Sequence, residues 1–168
     1  FLGSLVYPIH YADLVVPLAA SYGYDPLLQF ALIRQESLYE TFIGSPVGAQ
    51  GLSQVMPATG DYIAGQLGWS GYQTSQLLDP YVGLAFGAFY LDQQLNAFDG
   101  STPAALAAYN AGPGNAARWY AVTGYDIDLF VETIDFTATR RSIEPFSCGY
   151  AFYRHLSGHS TTRCRTHV

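Results

Sequence analysis

The polar and apolar positions of this chain repeat mostly with a helical period. Leu27, Phe30, Ala31 and Ile33 fall roughly on one face and run into Arg34-Gln35-Glu36-Ser37, the spacing of a helix with an inward stripe. Asp25-Pro26 ahead of them is a start signal: an N-cap carboxylate, then a proline where the helix needs no N–H. Asp79-Pro80 opens a second helix in the same way, predicted to reach about Asn96, and Thr102-Pro103 a third, through Leu106 to Tyr109. Gly112-Pro113-Gly114 should break that third helix. Shorter helices are predicted at 10–21, 57–67, 115–122 and 128–133. A last one should run from 139 towards 155, kinked or split at Pro145, which lacks the N–H an interior position needs.

Strand-like alternation is poor. The stretch 41–53 carries Gly44, Pro46, Gly48 and Gly51 among small residues and predicts a loop, or at most a small hairpin. With no repeat or linker inside it, 1–156 reads as a single domain, and the polar, basic tail 157–168 is expected to be poorly ordered. The fold class is mainly α with a small loop or hairpin region.

Composition narrows the function. The 168 residues suffice for one core, and 49% hydrophobic against 12% charged residues excludes a disordered chain. No apolar stretch approaches the ~20 residues of a membrane span. The longest candidate, around 81–91, is interrupted by glycines and framed by Asp79 and Asp92. A net charge of −6 with no Lys leaves no basic stripe for phosphates, so no nucleic acid is expected as partner. Fourteen Tyr fit either a Tyr-rich core and surface or a groove whose aromatic faces pack against sugars. Two cysteines, Cys148 and Cys164, leave pairing and compartment open. The first residues lack the basic start and cleavage site of a signal peptide, so the chain is expected to begin inside a longer precursor.

Several chemistries are missing. There is no HExxH, CxxC or His/Cys cluster, so neither metal nor cofactor is expected, and the scattered His read as surface residues. No GxSxG elbow or GxxxxGK[ST] loop occurs. Carboxylates remain, and glutamates are few: Glu36, Glu40, Glu132 and Glu144. Glu36 closes an apolar helix. It is either a solvated terminal residue or a carboxyl whose pKa is raised by the negative helix end and apolar neighbours. The second case supplies a general acid near neutral pH.

Three segments in order, ALIRQES (31–37), SPVGAQGLSQVMPAT (45–59) and AAYNAGPG (107–114), resemble the soluble lytic transglycosylase family, which shares the goose-type lysozyme-like fold. A fourth, FVETIDFTATR (130–140), is similar to that family's late signature, usually closer to E-[ST]-I-P-F-x-E-T-R. The resemblance covers about 7 to 156. It implies Glu36 as catalytic acid/base and Ser45, Gln54, Met56, Tyr109, Asn110, Glu132 and Tyr153 as substrate-contacting residues. Read alone, Met56 would be core filler, Asn110 a helix terminator, Glu132 a surface carboxylate, and Arg140 a brace for a carboxylate. The sequence departs from the family at Ser53 (usually Met), Asp135 (usually Pro) and Ala138 (usually Glu), and in SIEPFSCGYAFY after Arg141.

The activity implied is cleavage of the β-1,4 bond between N-acetylmuramic acid and N-acetylglucosamine in peptidoglycan, leaving a 1,6-anhydro end, and hence an extracytoplasmic site. A hydrolase on the same fold would need a second carboxylate, for which Asp61 or Glu132 could be offered. A non-catalytic glycan-binding domain could dispense with Glu36 and Tyr109, both present here.

Overall fold

The structure is a computed structural model that describes residues 6–124 and 126–159. Among these the helices are α1 (Ala12–Tyr22), α2 (Pro26–Ser37), α3 (Pro57–Gln66), α4 (Pro80–Ala97), α5 (Thr102–Ala111), α6 (Pro113–Thr123), α7 (Ile127–Thr133) and α8 (Thr137–Leu156). A 3-10 turn, Thr74–Leu78, which the periodicity did not signal, precedes α4. The chain divides into two compact units, Phe1–Tyr90 and Leu91–Val168, and α4 is continuous through the boundary.

In the first unit, α1 ends at Gly23, whose φ of 79° lets the N–H groups of Gly23 and Tyr24 fold back onto Ala19 O. Asp25 then caps α2, its carboxylate accepting from Leu27 N at 3.0 Å. Leu28, Phe30, Ala31, Leu32 and Ile33 are all buried, so α2 is enclosed nearly all round rather than along one stripe. Gln29 is enclosed with them at 0% exposure, which is tolerable because its amide is used on both sides. Nε2 donates to Leu84 O at 3.1 Å, and Oε1 accepts from Tyr24 Oη at 2.9 Å. A further core of Val55, Ile63, Leu77, Val82 and Phe86 carries Trp69 and Tyr72 against the Phe86 ring.

The glycine-rich stretch is a loop pinned by two isolated antiparallel bridges, Gly44 to Gln50 and Gln50 to Val55. Gly51 shows why the segment needs glycine. Its φ is 73°, and a Cβ there would lie 2.0 Å from Leu77 O.

The second unit packs α5 to α8 around Trp119, with Phe98, Phe130, Ile134 and Ile143. Ala104, Ala105, Ala107 and Ala108 are all buried on α5, so small side chains let its neighbours approach closely. Gly112 alone separates α5 from α6, and Pro113 starts α6 rather than lying in a longer break. Of the two outcomes expected at Pro145, the split does not occur: α8 is unbroken from Thr137 to Leu156. The buried residues Thr139, Ile143, Phe146, Gly149 and Tyr153 form one face, while Pro145 is exposed. The carbonyl that proline leaves without its partner therefore lies on the side where water can satisfy it.

Asp135, which replaces the family's proline, has a structural use. Arg118 forks onto its carboxylate at 2.9 and 3.1 Å, and Trp119 Nε1 donates to it at 3.0 Å. Arg140 was expected to brace a carboxylate; instead its guanidinium donates to the Ile134 carbonyl at the end of α7. Ser157 and His159 are exposed; the rest of the tail expected to be poorly ordered, Cys164 included, lies outside the described residues. Among the described residues no helix is long and apolar enough to cross a membrane, and no group of His, Cys, Asp or Glu is arranged to hold a metal ion.

Candidate active site

Glu36 stands in the last turn of α2, where an apolar, fully packed helix meets the glycine-rich loop. Its side chain keeps some exposure, yet burial pushes its pKa up from 4.5 to about 7. The cause is desolvation alone, so the helix field invoked from the sequence is not needed. The charge nearest along the helix, Arg34, is engaged elsewhere: Nε donates to Val6 O at 2.9 Å, and the guanidinium lies 4.3 Å over the Tyr7 ring. The carboxyl is therefore held half protonated near neutral pH, able to give a proton and take one back.

The backbone leaving Glu36 is strained. Leu38 and Tyr39 are consecutive non-glycine residues in the left-handed region, with φ of 50° and 67°, each costing about 1 kcal/mol. Tyr11 and Gln54 are two more in the same unit, with φ of 60° and 45°. Such outliers concentrate where geometry serves function.

Ser45 and Gln54 sit on the loop that follows. Ser45 shapes it: its Oγ accepts from Ala49 N at 2.9 Å, and its N–H donates to Ala49 O at 2.9 Å. The hydroxyl proton stays available to an outside acceptor. Gln54 Nε2 donates to Gly51 O at 2.9 Å and Ile43 O at 3.3 Å, which fixes the amide and leaves its Oε1 as the group to meet a donor. Met56, which reads as core filler in the sequence, is 40% exposed at the N-cap of α3. Phe42 and Val47 of the preceding loop are exposed as well, at 83% and 76%. Phe42 was not singled out from the sequence; a large aromatic with no periodic partner in a Gly/Pro-rich stretch was the available signal.

Tyr109, Asn110, Glu132 and Tyr153 belong to the second unit. Tyr109 is partly exposed near the end of α5. Asn110, which could terminate a helix or meet a sugar, ties α5 to α8: its Oδ1 accepts from Thr139 Oγ1 at 2.7 Å. Glu132 is exposed on α7. Tyr153 is 1% exposed on the buried face of α8, so its ring offers no open wall, contrary to the cleft-lining role the resemblance implies. Packing along 139, 143, 146, 149 and 153 is the reason. Ser53, where the family usually has Met, is fully buried and acts in packing.

This combination of helices and an acid-bearing helix end followed by a glycine-rich loop is a lysozyme-like transglycosylase architecture. The Transglycosylase SLT domain matches residues 14–126, and the chain belongs to that family. The soluble lytic murein transglycosylase of Escherichia coli K12 is 34% identical over 159 residues, covering 93% of this chain but 25% of that protein. The crystal structure of the 70 kDa soluble lytic transglycosylase from Escherichia coli superposes with a TM-score of 0.88 at 32% identity, over 94% of this chain and 26% of that one. The lytic transglycosylase Slt of Pseudomonas aeruginosa, solved as an inactive mutant with a glutamate changed to glutamine, gives 0.84 at 31% identity, over 94% and 26%. The chain thus spans about a quarter of the length of the relatives it matches.

Proposed function

We propose that this domain is a peptidoglycan lytic transglycosylase, cutting between N-acetylmuramic acid and N-acetylglucosamine and acting outside the cytoplasmic membrane, where that polymer lies. The observation that carries the reading is Glu36: a carboxyl raised to about 7 by burial, at the head of the loop bearing Ser45 and Gln54. That a relative is inactive when a glutamate becomes glutamine supports the same requirement here.

In this reading Glu36 begins protonated and donates to the glycosidic oxygen. The bond from that oxygen to the muramic C1 breaks, and N-acetylglucosamine leaves with a 4-hydroxyl. The positive charge developing at C1 is met by the substrate's own N-acetyl oxygen, since the motif supplies no second carboxylate. Glu36, now anionic, takes the proton of the muramic 6-hydroxyl, whose oxygen bonds to C1 and expels the acetamido oxygen. No water is consumed, and Glu36 ends protonated as it began. The Ser45 hydroxyl and the Gln54 carbonyl orient the sugar, a contribution on the order of several kcal/mol to the barrier. Met56 supplies an apolar contact on the same unit as Glu36, and the resemblance offers Tyr109, Asn110 and Glu132 of the second unit as further substrate-contacting residues.

The test is a digest of purified sacculi read by mass spectrometry. The expected muramic ends are lighter than hydrolysis products by one water. Reducing muramic ends would make the enzyme a hydrolase, and binding with no soluble fragments would make the domain non-catalytic.

A further inference from the structure

Where the chain leaves α2, a set of specific contacts remains that none of the roles above uses. The left-handed pair Leu38-Tyr39 must be enforced by its surroundings. Leu38 is 69% exposed, so its own burial does not enforce it. Tyr39 is held at three points. Its N–H donates to Ser37 Oγ at 3.2 Å, its hydroxyl donates to Phe30 O at 3.3 Å back along α2, and its ring meets His10 edge-on at 5.6 Å. Two residues further, Thr41 Oγ1 and Tyr11 Oη share a hydrogen bond of 3.0 Å. On the other side of Glu36 in the sequence, Arg34 reaches Val6 O and the Tyr7 ring. Residues 6–11 thus grip both the last turns of α2 and the chain leaving it, and Glu36 lies between the gripped points.

We propose that this strap-and-turn clamp, centred on Tyr39 with Tyr11 and Thr41, is a positioning device for the Glu36 carboxyl. The last turn of a helix lacks part of its hydrogen bonding and frays unless it is held. Proton transfer tolerates little fraying, since a misplacement of ~1 Å can cost about 100-fold in rate. The clamp works through geometry. The charged groups on the elements around it are His10 in the strap, Asp13 on α1, Arg34 on α2 and Glu40 beyond the turn, and none of them contributes to the Glu36 shift, which comes from burial alone. The proposal rests on Glu36 being the acid.

The variants are Tyr39→Phe, Tyr39→Ala, Tyr11→Phe, Thr41→Val and the double Tyr11→Phe/Thr41→Val, assayed on soluble glycan fragments with the folded fraction measured for each. Tyr39→Ala should lower kcat by roughly 10- to 100-fold with KM within about twofold, the split expected of misplacement. Tyr39→Phe, which keeps the ring on His10, should recover much of that loss. Tyr11→Phe and Thr41→Val should each lower kcat, and the double should fall no further than the worse single, because both remove one bond. An unchanged kcat per folded molecule across the set overturns the clamp, as does a loss that follows only melting temperature. A second arm needs no activity. With carboxyl-13C glutamate, Glu36 is identified by the resonance that Glu36→Gln removes. Its titration midpoint should drop from near 7 towards the ordinary carboxylate range in Tyr39→Ala. If the wild-type chain releases nothing from sacculi, the transglycosylase reading fails while this arm still decides: an unmoved midpoint overturns the clamp.

Discussion

A carboxyl whose pKa is raised to about 7 bears on stability as well as rate. Glu36 has a folded pKa of about 7 against an ordinary 4.5. Below 4.5 both folded and unfolded chains carry the proton, and nothing is lost. As pH rises through 4.5 the unfolded chain ionises first, so stability falls until the folded carboxyl also ionises above about 7. The full loss is on the order of 3 kcal/mol. Glu36→Gln keeps the shape and removes the titration. It should be inactive on sacculi, melt like the wild type at pH 4, and be more stable at pH 8. Equal melting at both pH values would mean that position 36 is solvated. In the wild type, turnover should decline as pH rises through about 7, where the acid is lost. Met56 gives a contrasting expectation. Being 40% exposed, it can become Ala at a stability change of only about 0.5 kcal/mol, so any larger effect on the Michaelis constant belongs to substrate contact.

At the scale of elements, the loop after Glu36 and the long α8 make opposite predictions. Gly51 combines a φ of 73° with a carbonyl 2.0 Å from where a Cβ would stand. Gly51→Ala must displace backbone and should cost at least ~3 kcal/mol, read by denaturant titration. Gly48 has φ of 96° but open space, so Gly48→Ala should cost less, about 1 kcal/mol. A similar loss at both would mean that backbone strain, not Leu77, sets the requirement. Pro145 lies exposed inside α8. Pro145→Ala restores an interior N–H, and Pro is worse than Ala there by about 3 kcal/mol. Unfolded-state stiffness offsets roughly 1 kcal/mol of that. The variant should therefore melt higher, and a lower melting temperature would show that the ring itself packs usefully.

At the scale of the whole molecule, each compact unit holds one of the two tryptophans: Trp69 against Phe86 in the first, Trp119 in the core of the second. Because α4 passes unbroken through the boundary, carrying Leu84 and Phe86 on one side and Leu91 and Gln94 on the other, the units should unfold together. Fluorescence of Trp69→Phe and Trp119→Phe reads the units separately. Displaced midpoints, after correction for each variant's own stability, would show that they melt apart.

The helices were legible because their signals are local. Asp25-Pro26, Asp79-Pro80 and Thr102-Pro103 start helices where predicted, and the glycine-rich stretch is a loop with two bridges, as its composition implied. The ordered motifs carried the family, and Glu36 stood out as a scarce acid closing an apolar helix. Burial and partnership were not legible, because both depend on what other segments bring. No local rule shows that α2 is enclosed all round, that Met56 is exposed while Tyr153 is enclosed, or that Arg140 meets a carbonyl and Arg118 the carboxylate. Pro145 belongs with them: propensity names the missing hydrogen bond, and only packing along one face of α8 shows that the helix is not split by it. The sequence singled out Glu36 as the acid to propose. The tertiary structure decided that its proton is held near neutral pH, since desolvation is a property of the surroundings and not of the residue.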